Sequence, residues 1–197
     1  ARAPVDAVIV NAAGCGTTVK DYGHMLARDP GLSQWAAKIS SMTRDVTEIL
    51  SAYDLGLPVR WSSLRVAYHS ACSMQHGQRI TTEPRALLKR AGFTVAEIPE
   101  GHICCGSAGT YNILQPDLSA QLRQRKLENI RMAKADIVPA GNIGCISQIG
   151  MTGEIPVVHT IELLDWAYGG PIPAGLEALK DRVKDVTVVR TMESYLQ

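Results

Sequence analysis

The sequence lacks an excess of charge of either sign, and it lacks any long apolar run. Of 197 residues, 20 are lysine or arginine and 19 are aspartate or glutamate, which gives a net charge of +1. A nearly neutral chain offers no electrostatic surface for a polyanion, so nucleic acid is not expected as a partner. No apolar stretch approaches the roughly 20 residues that cross a bilayer. The hydrophobic content of 46% is sufficient for a core, which excludes disordered and fibrous proteins.

The amino-terminal sequence, residues 1–4 (ARAP), has neither an initiator methionine nor the basic-then-apolar pattern of a signal peptide. From this we expect a cytoplasmic protein, and we expect the chain to be part of a longer one.

The five cysteines are an odd number, which does not suit a framework of disulfides. Cys104 and Cys105 are adjacent, and three of the five cysteines stand directly beside glycine. Burial of free thiols as small hydrophobic groups would not explain that pattern. The cysteines therefore indicate metal binding or catalysis.

Two segments of the chain resemble each other. Residues 6–15 align without gaps with residues 136–145, and both run from aspartate through an apolar stretch to Gly-Cys. Each is typical of a buried strand followed by a loop whose tip carries the cysteine. Residues 43–50 and 157–164 also match, and both are predicted to be helices that end their units.

Predicted strands alternate with predicted helices between these landmarks. Residues 64–69 and 93–98 have the pattern of strands, and residues 83–91 and 118–134 that of helices. This alternation predicts an α/β fold with small parallel sheets covered by helices. Basic residues of the last helix are expected on its solvent-exposed outer face. They are Arg123, Arg125, Lys126, Arg131 and Lys134.

Four cysteines each follow a predicted strand end: Cys72, Cys104, Cys105 and Cys145. Loops at the carboxyl ends of parallel strands converge on one crevice, so these thiols are expected to meet there. Four thiolates suit a soft metal or an iron-sulfur cluster, and a zinc ion is the simplest competitor. Neighbouring glycines would let the backbone approach the centre and donate amide hydrogen bonds to sulfur.

Three segments resemble the cysteine-rich CCG domain: residues 69–78 (HSACSMQHGQ), 104–111 (CCGSAGTY) and 141–145 (GNIGC). That domain occurs twice in a subunit of heterodisulfide reductase and in iron-sulfur subunits of glycolate and lactate dehydrogenase complexes. Residues 107–116 and 19–24 most resemble the glycolate oxidase iron-sulfur subunits.

The resemblance implies tandem CCG repeats. Residues 1–57 would be the carboxyl-terminal part of an incomplete first repeat, residues 58–168 a complete second repeat, and residues 169–197 a tail without an assigned role. A ferredoxin-like domain would precede them. Cys72, Cys104, Cys105 and Cys145 would hold an iron-sulfur cluster of the 4Fe-4S type, with zinc as the alternative, and Cys15 would belong to the first repeat's site.

The same resemblance implies electron transfer in a glycolate (2-hydroxy acid) dehydrogenase complex. Electrons would pass from a flavin-containing partner subunit towards a quinone-type acceptor. The protein would be cytoplasmic, with a peripheral position on the inner face of the membrane as the alternative. No residue of this chain is assigned a catalytic role, and the chain alone is expected to be inactive. A structural zinc module for subunit assembly is the alternative from another class.

One departure from heterodisulfide reductase lies at the end of the repeat, where that protein has a Cys-x-x-Cys pair. In this chain Gln148 stands in place of the second cysteine of that pair, and Thr18 stands there in the first unit. This argues against a five-thiolate cluster and against disulfide chemistry. Three histidines flank the cysteines and are expected to be structural, with sulfur hydrogen bonding or ligation as the alternative. They are His69, His76 and His102. The tryptophans at 35, 61 and 166 are expected to pack in the core or between the units.

Overall fold

The computed structural model describes residues 5–185 as short parallel strand pairs covered by helices, which confirms the predicted α/β class. Residues 1–4 and 186–197 lie outside the described range, and with them the chain start and the end of the tail. No helix among the described residues is long and apolar enough to cross a membrane.

The first part of the structure is a parallel strand pair with three helices. It contains β1 (Val8–Val10), α1 (Ala13–Met25), α2 (Ser33–Met42), β2 (Thr43–Asp45) and α3 (Val46–Ala52). β1 and β2 pair in parallel, with Val8 opposite Thr43. α1 and α2 pack closely at Gly23, whose amide donates to the Ser40 hydroxyl at 2.8 Å.

The second part begins with β3 and continues to the end of the described range. Its first elements are β3 (Arg60–Ser62), β4 (Arg65–Ala67), a π-helix (Ser73–Gln78), α4 (Glu83–Arg90), β5 (Thr94–Ala96) and α5 (Tyr111–Leu114). The remaining elements are α6 (Pro116–Met132), β6 (Val138–Ala140), α7 (Ile143–Gly150), β7 (Val157–His159), α8 (Thr160–Ala167), a 3-10 helix (Glu177–Arg182) and β8 (Val183–Asp185).

Four strands of the second part lie side by side. β4 pairs in parallel with β5, and β6 pairs in parallel with β7. Parallel bridges from Val66 to Ile137 and from His69 to Ala140 connect β4 to the β6 segment. The strand order is therefore β5-β4-β6-β7, and all four carboxyl ends lie along one edge. Separately, β8 pairs antiparallel with β3, so residues 183–185 of the tail pack against the start of this part.

The hydrophobic core lies between these strands and the surrounding helices. Its largest fully buried apolar side chains come from the positions just before β4 and β6 and from α4, α6, α7 and α8. They include Leu64, Leu87, Leu88, Leu127, Ile130, Ile137, Ile149 and Leu163. This core fixes the positions of the strand ends from which the cysteine loops leave.

The matching segments of the sequence fold alike. The same offset of 130 positions relates three pairs of features: the starts of β1 and β6 (8 and 138), the starts of α1 and α7 (13 and 143), and the cysteines Cys15 and Cys145. Both cysteines lie in the first turn of a helix, not at a loop tip as predicted. The other match was predicted as two helices, but each begins with a strand, β2 or β7, before its helix starts.

Two further expectations are corrected by burial. Lys126 is fully buried, whereas a solvent-exposed position was predicted, and its amine donates to the carbonyls of Glu100 and Gly101 at 3.2 and 3.4 Å. Trp35 is 65% exposed and does not belong to the core, while Trp166 is buried as predicted. The side chain of Trp61 lies outside the described part of the structure.

Candidate metal centre

The four predicted thiols come from three chain segments at one edge of the sheet. Cys72 follows β4 and immediately precedes the π-helix, Cys104 and Cys105 lie in the loop after β5, and Cys145 lies in the first turn of α7 after β6. Because β5, β4 and β6 are neighbours in the strand order, their carboxyl ends deliver these loops to one place. The sheet order thus explains how residues far apart in sequence come together.

The thiols form a continuous series of contacts, which we call the thiol group. Cys72 interacts with Cys104, Cys104 with Cys105, and Cys105 with Cys145. The sulfurs of Cys105 and Cys145 and a ring nitrogen of His69 all lie within 4.8 Å of one another. Cys105 and Cys145 are buried, whereas Cys72 and Cys104 are partly exposed. The structure therefore brings together all four cysteines that the sequence predicts; that they bind a metal stays a prediction.

Interactions among the thiols shift their pKa values in opposite directions. Interaction with Cys104, together with burial, raises the pKa of the Cys72 thiol. Interaction with Cys104 and Cys145, together with burial, raises the pKa of Cys105. Contact with Cys105 lowers the pKa of Cys104 and of Cys145, and His69 also lowers that of Cys145. A lowered pKa favours the thiolate, which is the form that binds metals.

Gly106 holds the loop that follows the paired cysteines. Its φ is +93°, its amide donates to the Cys104 sulfur at 3.3 Å, and an added Cβ would overlap the carbonyl oxygen of Ser119. The predicted amide donation to sulfur is thus present. The close approach is to α6, because the Ser119 hydroxyl donates to the Gly106 carbonyl at 2.8 Å.

Gln148 completes this hydrogen-bonded support. Its side-chain amide donates to the Ser119 hydroxyl at 2.8 Å, and Gln148 is itself buried. The residue that replaces the second cysteine of a Cys-x-x-Cys pair therefore ties α7 to α6 beneath the Gly106 loop.

His69 lies against the thiol group, although a structural role was expected for it. It lies at the carboxyl end of β4, is 1% exposed, and neither ring nitrogen has a nitrogen or oxygen partner. Its ring interacts with Cys145, which favours the alternative of a contact with sulfur over a purely structural role. The signal that identified the cysteines, a ligand-type residue at a strand end, also applies to His69.

The other histidines have different positions. His76 and His102 are exposed. His159 accepts from the Ile161 amide and caps the start of α8, and its Nε2 bonds the Asn11 carbonyl at 2.7 Å. It therefore links the second part of the structure to the loop between β1 and α1.

Lys126 places a cation near the thiols. Burial lowers the pKa of its amine, while the charges of Cys105, Cys104 and Cys145 oppose that shift. Its two carbonyl partners, Glu100 and Gly101, belong to the loop that leads to Cys104. When protonated, an amine in this position offsets the negative charge of thiolates.

Cys15 stands apart from the thiol group as an exposed free thiol. Its helix nevertheless packs against the cysteine loops, because Thr17 donates to the Ser73 carbonyl and Gln78 donates to the Ala13 carbonyl, both at 2.9 Å. The first part of the structure thus supports the loop around Cys72 without adding its cysteine to the group.

The residues present fit a soft metal centre. The Cys105 and Cys145 sulfurs and the His69 imidazole are buried within 4.8 Å of one another, and the partly exposed Cys72 and Cys104 adjoin them. The imidazole nitrogens have no nitrogen or oxygen partner. Thiolate and imidazole are ligands of zinc and of iron-sulfur centres. The arrangement defines a cysteine-rich module at the edge of a parallel sheet, with side chains of the kind that soft metals bind.

Comparison with known proteins agrees with this class. Residues 66–150 match the family CCG, described as a cysteine-rich domain. The match runs from within β4 to the end of α7 and contains all four thiols of the group. The chain therefore contains a CCG cysteine-rich domain, as the resemblance predicted.

The relatives make the class more particular. The chain is 36% identical over 166 residues to the glycolate oxidase iron-sulfur subunit of Escherichia coli (strain K12), which covers 84% of this chain and 41% of that protein. It is 32% identical over 176 residues to the probable glycolate oxidase iron-sulfur subunit of Bacillus subtilis (strain 168), covering 84% of this chain and 39% of that protein. Lactate utilization protein A of Oceanobacillus iheyensis is 29% identical over 175 residues, which covers 84% of this chain and 70% of that protein. The chain is thus a homologue of glycolate oxidase iron-sulfur subunits and of lactate utilization protein A, and spans about two-fifths of the first two relatives.

Proposed function

We propose that this chain is an iron-sulfur electron-transfer portion of a glycolate or related 2-hydroxy acid dehydrogenase complex. The observation that carries the proposal is the thiol group, in which four cysteines from three strand ends meet within the CCG match. Relatives named as glycolate oxidase iron-sulfur subunits support the same interpretation.

In this proposal Cys72, Cys104, Cys105 and Cys145 hold a cluster of the 4Fe-4S type, whose chemistry is one-electron transfer. The protein's own groups set the conditions. The Gly106 amide donates to the Cys104 sulfur, and burial of Cys105 and Cys145 keeps water from that side of the thiol group. Both effects are among those that set the reduction potential of such centres.

The rest of the complex is proposed by the same argument. A flavin-containing partner subunit oxidises the 2-hydroxy acid, and electrons leave towards a quinone-type acceptor, with the protein in the cytoplasm or on the inner membrane face. Residues 58–168 form the complete repeat and residues 1–57 the end of a first one. Cys15 is a ligand of that first repeat's site, whose other ligands are not among the cysteines of this chain.

A second candidate is a structural zinc module for subunit assembly. The short separations favour it, since the ligand atoms of His69, Cys105 and Cys145 lie within 4.8 Å of one another. Such spacing is found around a single ion with metal-sulfur distances of about 2.3 Å. In that case the centre has no redox role.

The two candidates are separated by metal analysis of protein purified without oxygen. Iron with acid-labile sulfide, and a visible absorption that bleaches on reduction, would support the electron-transfer proposal. Stoichiometric zinc without iron would overturn it in favour of the structural module. Cys145→Ser should lose the metal, and Cys15→Ser serves as the matched control because the same residue type is exposed and lies outside the thiol group.

A further inference from the structure

We propose that His69 is a fifth ligand of the metal centre and binds one iron atom through a ring nitrogen. This inference rests on the proposed function in one respect, the presence of iron at the thiol group, and it goes further by assigning a ligand that is not a cysteine.

The position of His69 is fixed by the sheet. Its backbone amide donates to the Pro139 carbonyl at 2.9 Å, and the residue bridges to Ala140, so it is held between the ends of β4 and β6. From there a ring nitrogen lies within 4.8 Å of the Cys105 and Cys145 sulfurs. Backbone pairing thus aims the imidazole into the thiol group.

In the described structure the imidazole is buried and lacks nitrogen or oxygen partners. It is 1% exposed, and neither Nδ1 nor Nε2 has a nitrogen or oxygen atom as hydrogen-bonding partner. The ring interacts instead with the Cys145 sulfur, a member of the thiol group, and this interaction lowers the pKa of the Cys145 thiol. Burial of an unpaired polar group is unfavourable, and groups of this kind in folded proteins call for an explanation such as an ion. A metal atom among the sulfurs would satisfy one nitrogen, since imidazole is an ordinary ligand of iron.

Gln148, a buried polar side chain beside the cysteine loop, supports that loop: its amide nitrogen donates to the Ser119 hydroxyl at 2.8 Å, and that hydroxyl donates to the Gly106 carbonyl. Among the described His, Asp and Glu side chains, His69 is the one whose ligand atom lies within 4.8 Å of both the Cys105 and the Cys145 sulfur. A neutral imidazole adds a ligand without adding negative charge, so we expect a higher reduction potential than a fifth thiolate would give.

The test is pulsed electron paramagnetic resonance on the full chain, purified without oxygen, loaded with iron and reduced. Protein labelled with ¹⁵N-histidine should show a nitrogen hyperfine coupling of the size found for directly bound imidazole. The coupling should disappear in His69→Gln and remain in His76→Gln, a matched control that is exposed yet close in sequence to Cys72. The labelled unsubstituted protein decides the question even if His69→Gln fails to fold.

Titration of the reduction potential gives a second readout. His69→Cys should shift the potential downwards, because a thiolate adds negative charge to the centre. Iron retained with only the weak coupling of a hydrogen-bonded nitrogen, or a strong coupling that survives in His69→Gln, would overturn His69 ligation and leave the proposed function standing. Protein that contains no iron would overturn both.

Discussion

The segments around Cys15 and Cys145 have the same local structure but different surroundings. Each has a three-residue strand, then two connecting residues, then a helix whose third residue is the cysteine. Yet Cys15 is exposed and lies outside the thiol group, whereas Cys145 is buried against Cys105. The local fold alone therefore does not make the site.

The difference lies in the neighbouring strands. β6 lies beside β4, with β5 next in order, and the loops after those two strands carry the other three cysteines. Among the described strands, β1 pairs only with β2, which leads into α3 without a cysteine. A cysteine at a strand end becomes part of a site when adjacent strands also end in cysteines.

The largest expected contrast is in metal content. Cys104→Ser or Cys105→Ser should lower metal affinity by more than about 100-fold, because an alcohol is a poorer ligand for a soft metal than thiolate and even changes to groups that only hold the ligands cost 10–100-fold. Cys15→Ser should leave the metal at the thiol group unchanged. Metal and sulfide analysis of the three purified variants measures this contrast.

In the dehydrogenase complex proposed above, the same variants would separate substrate oxidation from electron transfer. Flavin reduction by glycolate in a rapid anaerobic mix should be nearly unchanged in Cys105→Ser, while turnover with a quinone analogue should be strongly reduced. Equal loss of both rates with intact assembly would mean that these cysteines serve substrate oxidation.

Sequence patterns were sufficient to predict that the cysteines meet, because each cysteine is marked by a pattern within its own segment. A strand followed by a ligand residue can be recognised in each segment, and parallel pairing then requires Cys72, Cys105 and Cys145 to meet. The helix assigned to residues 43–50 was partly wrong because Thr43–Asp45 is stabilised as a strand by pairing with β1, a contact distant in sequence.

Other features depend on packing that periodicity does not reveal. Lys126 belongs to a helix rich in basic residues, but it faces the loop at Glu100 and Gly101, so its burial depends on a tertiary contact. The absence of nitrogen or oxygen partners for His69 likewise becomes visible only when every neighbouring polar atom is placed. Gln148 marks a missing cysteine in the sequence, and its hydrogen bond to Ser119 appears only in three dimensions.

The next contrast compares two glycines of the cysteine loop. Gly106 and Gly109 both have positive φ, +93° and +65°, so an alanine at either position bears a backbone cost of about 1–2 kcal/mol. At Gly106 the new Cβ also overlaps the Ser119 carbonyl oxygen, while at Gly109 it meets nothing within 4 Å. We expect Gly106→Ala to lower the free energy of unfolding by more than about 3 kcal/mol.

Denaturant unfolding of both variants without metal measures that difference directly. Equal destabilisation by the two substitutions would show that α6 does not constrain the Gly106 loop.

A smaller contrast compares Gln148 with Thr18, the equivalent position 130 residues earlier. Gln148→Ala removes a buried hydrogen bond to Ser119 and should cost about 1–3 kcal/mol. Thr18 bonds only the Gly14 carbonyl of its own helix at 3.2 Å in an exposed position, so Thr18→Ala should change stability by less than about 0.5 kcal/mol. The midpoints of denaturant unfolding measure the two stability losses. A larger loss for Thr18→Ala than for Gln148→Ala would contradict the role of Gln148 in supporting the Gly106 loop.

The smallest contrast concerns the two capped helices that follow β2 and β7. Asp45 and His159 both form a capping box, with Glu48 and Glu162 respectively bonding the cap residue's backbone amide at 2.7 and 3.0 Å. The Asp45 carboxylate accepts from the Thr47 amide at 2.8 Å and from its hydroxyl at 2.6 Å. The His159 ring accepts at 3.2 Å, a weaker contact.

Asp45→Ala should therefore cost about 1–2 kcal/mol, near the upper range for caps, and the unpartnered second oxygen of that carboxylate keeps the loss from being larger. His159→Ala should cost about 1 kcal/mol, since the bond to the Asn11 carbonyl is lost together with the cap. Thermal unfolding of the two variants ranks them. If His159→Ala proves the more damaging, then the contact between His159 and the β1-α1 loop, and not the cap, is what stabilises the junction of the two parts.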